Sequence, residues 1–509
     1  MSEHLRAFVV VAILSALSFL VMRRPVVAMG MADEDFRRRR NLWLAVTALA
    51  FLSTNFWIFM LIAASLLLLF ARKDRNPFAL YLFLLCAIPP YTAALPGLGI
   101  VNKLFELSFP RLLSLLVLLP FVLRRREPGT PGFGKIGADW LVVTYLLLEM
   151  VLHYRADTFT SSLRTGFNSY LDAFLPYYAA SRALRNARDV RDVLLSLVVA
   201  ALVLVPIAVF EFGKHWLLYA ALEGALGVNF PGGAYLGRGG ALRAVATAGH
   251  SIVLGYLMTI ALLLLFGLRH ANPLPRAWTV GVASLGIGLV ATVSRGPWVG
   301  AAVGILAMTL ASRQPGRRLV RLLGVALAAT VLVAVSPWGE KILGFLPFVG
   351  TVDAANVSYR QLLFEVSMRV IAIEPWFGSP YFMYSEPMQE LRIGSLIDVV
   401  NSYLLVALRY GYVGLAMFCS VFAAAIWAVI AALRRQPDED TERFVQGQGI
   451  LGMLFAVLVT IATVSDISFI PILWWCVAGL AIGYGHLVAG ETVSEPTPRR
   501  FFALGSSRP

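Results

Sequence analysis

Eight arginines are the residues of this sequence best suited to chemistry, because they fall on the predicted outer side of a membrane, where Lys and Arg are normally scarce. The planar guanidinium group can hold a phosphate through two parallel hydrogen bonds. Several such groups on one side therefore predict an anionic ligand, such as a lipid phosphate or pyrophosphate. A single arginine has a simpler alternative, which is to reach lipid headgroups or pair with an acid. The eight are Arg164, Arg238, Arg243, Arg295, Arg360, Arg369, Arg392 and Arg409.

Two of these arginines stand near predicted helix starts. Arg243 and His250 are seven residues apart, so they share a face if the segment is helical. His250 is a candidate general base, and its alternative is a hydrogen-bonded structural histidine at a helix start. Arg295 follows Ser294, which suits a helix cap, and precedes Pro297, which suits a first turn. Arg295 is therefore predicted at a helix N-terminus, where backbone N–H groups also attract anions.

Arg360 belongs to a segment predicted to be an amphipathic helix. Apolar side chains recur there near helical spacing, at Leu362, Val366 and Val370. Such a helix can lie on the membrane surface and cover a site. Glu365 and Arg369 are four residues apart and are predicted to pair structurally.

The composition determines the class of protein that carries these residues. Of the 509 residues, 59% are hydrophobic and only 14% are charged, and the mean hydropathy is +0.75. These values exclude an ordinary soluble enzyme, a disordered chain and a fibrous protein. Long apolar runs recur throughout, which predicts an all-α, polytopic membrane protein with about 12–14 spans.

The charge and cysteine content restrict the partners. A net charge of +14 is attributed mainly to basic loops on the cytoplasmic side, and no nucleic acid is expected. The three cysteines, Cys86, Cys419 and Cys476, lie far apart in apolar runs. We therefore expect neither a disulfide framework nor a zinc site.

The pattern of spans predicts one multi-span membrane domain over residues 1–490 and a polar cytoplasmic tail over 491–509. Two long segments, 213–246 and 336–401, are predicted outer loops, the larger carrying short helices. Residues 42–70 are basic at both ends, so both ends are expected on one side. Two half-length helices meeting at Ser53-Thr54-Asn55 would achieve this. Residues 78–95 are predicted as the next span, and no β-strand is expected.

Four stretches then resemble the O-antigen ligase and polymerase superfamily of bacterial envelope glycosyltransferases. They are RAVATAGH at 243–250, SRGPW at 294–298, SYR at 358–360 with EPWFG at 374–378, and NSYL at 401–404 followed by GYVG at 411–414. The last stretch is similar to the superfamily's His-Asn, nine residues, Gly-x-x-Gly motif. Val400 stands in the histidine position, which in ligases is associated with activation of the acceptor hydroxyl. This departure favours a polymerase.

The resemblance implies a metal- and cofactor-independent glycosyltransferase that acts on undecaprenyl-pyrophosphate-linked glycan at the periplasmic face of the inner membrane. Arg295, Arg360 and Arg243, in that order, are the expected pyrophosphate contacts. Asp398 is a substitute base, with helix capping as its alternative. Tyr403, Trp376 and Tyr359 are candidate sugar-stacking residues, with packing as the alternative for each. Membrane lipid is an expected partner, and a chain-length regulator is a possible one.

Three functions are compatible with these features. The first is a polymerase of exopolysaccharide, capsule or O-antigen repeat units, and the second is a ligase that transfers glycan to lipid A-core or protein. The third is a transporter or flippase of lipid-linked sugar, which would be expected to carry charge near mid-membrane on broken helices. Mid-span positions are nearly free of charge, which favours chemistry, whereas the Ser53-Thr54-Asn55 break is the feature that fits transport.

Overall fold

Helices dominate the fold, because a backbone in an apolar medium must satisfy its hydrogen bonds within its own segment. A computed structural model describes residues 2–97, 102–124, 130–228, 235–238, 240–336, 354–392, 397–436 and 441–494. Among these residues, six helices are long and apolar enough to cross a membrane, and three shorter apolar helices accompany them. The predicted class, an all-α polytopic membrane protein, is confirmed.

The helices are α1 (Glu3–Ala28), α2 (Asp33–Leu52), α3 (Phe56–Phe70), α4 (Pro77–Leu85), α5 (Phe109–Leu123), α6 (Gly137–His153), α7 (Phe159–Ser169), α8 (Leu175–Arg182), α9 (Ala187–Lys214), α10 (Ala221–Leu226), α11 (Ser251–Gly267), α12 (Pro275–Ala291), α13 (Arg295–Leu310), α14 (Pro315–Val335), α15 (Ala354–Ile373), α16 (Glu386–Gln389), α17 (Ser402–Arg435), α18 (Glu442–Ile461) and α19 (Ile470–Ser494). The strands are β1 (Thr92–Pro96), β2 (Lys103–Ser108), β3 (Gly237–Arg238) and β4 (Ala241–Leu242).

The interrupted apolar stretch at 42–70 folds as a helical hairpin. α2 ends before Ser53, and the Asn55 side chain caps α3 by accepting hydrogen bonds from the N–H groups of Trp57 and Ile58. Arg39 at the start of α2 contacts Asp74, just beyond α3, at 2.7 Å. The two ends therefore lie together, as predicted. The helices are longer than half-spans, however, since the 20 residues of α2 cover about 30 Å.

The segment 78–95 differs from the prediction of a full span. α4 ends at Leu85, and Pro89-Pro90 follow shortly after. Proline cannot donate a helical hydrogen bond and disfavours helix in the residue before it. The chain continues instead as β1, which pairs antiparallel with β2. β3 and β4 form a second short hairpin, so the expectation of no strand was wrong for two small elements.

A second hydrophobic core lies beside the main one and is built by the predicted amphipathic segment. Val366 and Val370 of α15 are buried as expected, and Leu363 joins them. They pack with Leu404 and Leu408 from the first turns of α17. This small core fixes α15 against the end of α17 where the candidate site lies.

The expected pairing of Glu365 with Arg369 is replaced by a longer-range one. The Arg369 guanidinium donates hydrogen bonds to the Glu390 carboxylate at 3.0 and 2.7 Å. Glu365 contributes a weaker attraction. The bridge ties α15 to the segment that follows α16.

Candidate functional site

The Arg243 side chain contacts the turn that joins α12 to α13. Its Nη2 donates to Ser294 Oγ at 3.0 Å, and its Nε donates to the Thr292 carbonyl at 3.4 Å. The following Ala244 N–H donates to the Ala291 carbonyl at 3.1 Å. The 243–250 segment therefore packs beside the turn that carries Arg295.

A glutamate that the sequence did not single out fixes the same segment. Glu211, near the end of α9, is buried and accepts the N–H groups of Val245 and Ala246 at 2.9 and 2.8 Å, and that of Leu218 at 3.0 Å. Ala246 has φ 46°, which a non-glycine residue adopts only when its surroundings hold it. Glu211 supplies that restraint.

His250 caps α11. Its Nδ1 accepts the Ile252 N–H at 3.2 Å, which is the structural role given above as the alternative to catalysis. Burial, followed by the nearby positive charge of Arg243, lowers the pKa of His250 to about 4. The imidazole is therefore neutral at pH 7, with Nδ1 occupied by the cap.

The turn before α13 brings Arg238 and Arg295 to the same place. Val293 has φ 46°, and its carbonyl accepts Arg238 Nη1 at 3.0 Å. Arg295 is the first residue of α13, as predicted, and Ser294 occupies the cap position. The Ser294 hydroxyl donates to Thr292 instead of capping the helix with its side chain.

Arg360 approaches this turn from α15. Its Nη2 donates to the Thr463 carbonyl at 3.1 Å, and a Cβ placed on Gly296 would lie 2.3 Å from Thr463 Oγ1. Thr463 thus contacts both the helix start that carries Arg295 and the Arg360 side chain. Partial burial, and then the charge of Arg238, lower the pKa of Arg360. The three predicted arginines converge on the turns 292–296 and 463–465, here called the arginine site.

Asp398 lies at the edge of the arginine site, with an exposed side chain. Its Oδ1 accepts a hydrogen bond from the Ser465 hydroxyl, and its carbonyl accepts the Tyr359 hydroxyl at 2.8 Å. It does not cap α17, which was the alternative role. Asn401 caps that helix, because its side-chain oxygen accepts the N–H groups of Tyr403 and Leu404 at 3.0 and 3.2 Å.

A second carboxylate, Asp466, was missed because its neighbours in the sequence carry no motif. Its Oδ1 is shielded from solvent and has no hydrogen-bond partner among the described residues. Burial raises the pKa of the Asp466 carboxyl, although the Ser402 hydroxyl and Arg409 act in the opposite direction. Asp398 and Asp466 thus flank Ser465 with different surroundings, since Asp398 is exposed and Asp466 is partly buried.

The EPWFG and GYVG stretches meet in the structure. α17 kinks at Gly411, which has φ 67° and ψ −167°. At the kink, the Tyr412 N–H donates to the Pro375 carbonyl at 2.7 Å, and the Val413 N–H donates to the Trp376 carbonyl at 3.2 Å. The spacing between Asn401 and Gly411 is therefore the length of helix between the cap of α17 and the kink that contacts the 374–378 loop.

Two of the three predicted sugar-stacking aromatics, Trp376 and Tyr403, have different surroundings. Trp376 lies in the docked loop with an exposed ring. Tyr403 is partly buried, its hydroxyl donates to the Leu458 carbonyl at 3.0 Å, and its ring meets Phe418 edge to face. The contacts of Tyr403 are those of a packing residue, whereas the ring of Trp376 remains accessible.

Residues 280–419 match a family model described as O-Antigen ligase. The matched segment includes Arg295, Arg360, Trp376, Asp398 and the Gly411 kink. A search of curated proteins finds no match. The family match confirms the resemblance that the motifs from 294 to 414 indicated.

Proposed function

We propose that this protein polymerises undecaprenyl-pyrophosphate-linked oligosaccharide repeat units, since residues 280–419 match the O-Antigen ligase family model. The observation that carries the proposal is the convergence of Arg243, Arg295 and Arg360 on two adjoining turns. These residues come from three separate stretches, and the fold brings them to one end of the helices. Such a cluster suits a diphosphate, whose charge exceeds what one guanidinium can balance.

The chemistry requires one bond to form as another breaks. The acceptor hydroxyl oxygen attacks the anomeric carbon of the donor glycan, and the bond from that carbon to the pyrophosphate oxygen breaks. The lipid pyrophosphate leaves with the electron pair, so negative charge grows on the leaving oxygen. Guanidinium groups positioned beforehand stabilise that charge in the transition state. Direct displacement inverts the anomeric configuration.

A base must accept the proton of the acceptor hydroxyl. Asp398 is our first candidate, because it is exposed at the edge of the arginine site and the superfamily's histidine position is Val400. Asp466 is the second, because a partly buried carboxylate with a raised pKa is a stronger base. Loss of turnover in Asp398→Asn but not in Asp466→Asn would assign the proton to Asp398, and the reverse would assign it to Asp466.

The proposal includes a location and partners. The reaction would take place at the periplasmic face of the bacterial inner membrane, with the donor held by its lipid in the bilayer. The substrate partner is the undecaprenyl-pyrophosphate-linked glycan, and a chain-length regulator would act beside it. Attachment of a membrane-impermeant label to a cysteine placed at Trp376 in intact cells would test the orientation.

Replacement of the arginines tests the function directly. Arg295→Ala and Arg360→Ala should each abolish polymer while the protein remains in the membrane, because loss of one such donor costs about 100-fold or more in rate. Arg392→Ala is the matched control, since Arg392 is an exposed arginine of the same predicted outer segment. Normal polymer length and yield in both site variants would refute the pyrophosphate role.

A ligase is the second candidate, because the matching family model carries that description. Deletion of the gene followed by glycan gel analysis separates the two activities. Loss of long chains with single repeat units still attached indicates a polymerase. Loss of all attached glycan, with accumulation of lipid-linked polymer, indicates a ligase.

A further inference from the structure

A groove lies at the end of the helices opposite to the arginine site. It runs between the last turns of α13 and α17 and the first turns of α18, and encloses about 640 Å³. Its walls are almost entirely apolar. They include Leu306, Ala307, Leu310, Leu433 and Phe455.

Two arginines stand at the mouth of this groove. Arg313 follows α13 and Arg434 belongs to the last turn of α17, and both side chains are exposed. The Arg313 Nη2 donates a hydrogen bond to the Gln436 carbonyl. That bond holds the Arg313 guanidinium across the mouth, on the side where Arg434 lies.

We propose that the groove binds one anionic glycerophospholipid, with an acyl chain along the apolar walls and the headgroup phosphate between Arg313 and Arg434. Charge complementarity selects this occupant. A soluble anion would leave the apolar walls uncovered, and a lipid without net charge would leave the positive mouth uncompensated. Basic pockets between membrane helices on the side with the most Lys and Arg are a known setting for anionic headgroups.

The position of the groove gives it a role separate from catalysis. α13 carries Arg295 at its first turn and lines the groove at its last turns. A bound lipid would fill the space between α13, α17 and α18, and would thereby hold the helix that presents Arg295. This site does not depend on which glycan the protein uses.

Native mass spectrometry of the full-length protein in mild detergent, with phosphatidylglycerol as the added probe, tests the proposal. The wild type should retain one tightly bound phosphatidylglycerol. Arg313→Gln with Arg434→Gln should weaken retention by about fivefold for each arginine removed. Arg435→Gln removes the same charge from the adjacent residue, which does not line the groove, and should retain the lipid as the wild type does.

A second variant tests the apolar walls without a change in charge. Ala307→Phe would occupy the groove and should also release phosphatidylglycerol, with both arginines in place. Three results would overturn the proposal: equal retention by all variants, equal loss in Arg435→Gln, or phosphatidylethanolamine binding as tightly as phosphatidylglycerol. Preferential displacement of phosphatidylglycerol by undecaprenyl phosphate would also overturn it, because the occupant would then be a polyprenyl lipid.

Discussion

The contact between the loop at 374–378 and the kink in α17 depends on Gly411 having no side chain. A Cβ added there would lie 2.3 Å from the backbone carbon and oxygen of Trp376, and 2.5 Å from the Phe377 nitrogen. The backbone angles, φ 67° and ψ −167°, belong to a region that is essentially limited to glycine. Gly411→Ala must therefore either push the loop away or force α17 to change its path.

The size of this effect follows from the contacts that would be lost. Backbone strain of this kind costs about 1–3 kcal/mol. Each of the two hydrogen bonds, from Tyr412 to Pro375 and from Val413 to Trp376, contributes about 1 kcal/mol net. Together these give roughly 3–5 kcal/mol against the docked loop, which shifts the equilibrium toward an undocked loop by roughly 100-fold or more.

Limited proteolysis of the purified protein in detergent measures this equilibrium. Chymotrypsin cleaves after aromatic residues, and Trp376 and Phe377 lie within the docked backbone. When opening is fast relative to cleavage, the cleavage rate follows the open population. The rate for Gly411→Ala should therefore rise by roughly 100-fold, with the cut mapped by mass spectrometry.

Gly286→Ala is the matched control, because Gly286 lies inside α12 and a Cβ there would have no atom within 4 Å. It should leave both cleavage and polymer yield unchanged. A Gly411→Ala protein whose loop is cleaved no faster than that of the wild type would falsify the docking argument. It would mean that the Gly-x-x-Gly spacing serves some purpose other than close backbone contact.

Three further variants test buried groups. Arg39→Gln leaves the buried carboxylates of Asp74 and Asp192 without their shared cation. The free energy of unfolding should therefore fall by about 3–5 kcal/mol, which a thermal unfolding assay detects as a lower unfolding temperature. An unchanged unfolding temperature would contradict the role of this ion-pair network. Glu211→Gln replaces one acceptor oxygen with a donor and should cost about 1–3 kcal/mol in the same assay. The pKa of His250 is about 4 when folded, against an ordinary value of 6.5, so protonation favours unfolding as the pH falls from 6.5 to 4. His250→Asn keeps a capping oxygen and should show a smaller loss of stability across that range, and an identical pH dependence would refute the assignment.

Local signals predicted the elements that depend on adjacent residues. The break at Ser53-Thr54-Asn55 was predicted because a polar triplet interrupts an apolar run, and the start of α13 at Arg295 because Ser294 and Pro297 flank it. The second prediction uses preferences that act within one helical turn, and the first also uses the basic residues at both ends of the stretch. For the cap of α17, the sequence suggested Asp398, as the alternative to its role as a base, and it did not point to Asn401. Only the backbone geometry selects Asn401.

Local signals in the sequence did not predict the contacts between distant parts of the chain. Arg39 appeared as one member of a basic cluster, yet it is buried between Asp74 and Asp192, which lie 35 and 153 residues away. Glu211 was not singled out, although it fixes the 243–250 segment. No sequence spacing predicts either set of contacts, because loop length does not determine which helix ends meet.

The arginine site depends both on local sequence signals and on contacts between distant parts of the chain. That arginines would gather at one end was predictable, since arginines on the predicted outer side depart from the usual distribution. How they are held was not, because the acceptors that position them include backbone carbonyls of distant turns. Arg238 donates to the Val293 carbonyl and Arg360 to the Thr463 carbonyl, whereas Arg243 donates to the Thr292 carbonyl and the Ser294 hydroxyl. A carbonyl orients a guanidinium without cancelling its positive charge, whereas the carboxylates beside Arg39 neutralise it. The same residue type is therefore paired with buried carboxylates next to α2 and is oriented by backbone carbonyls and a serine hydroxyl at the arginine site.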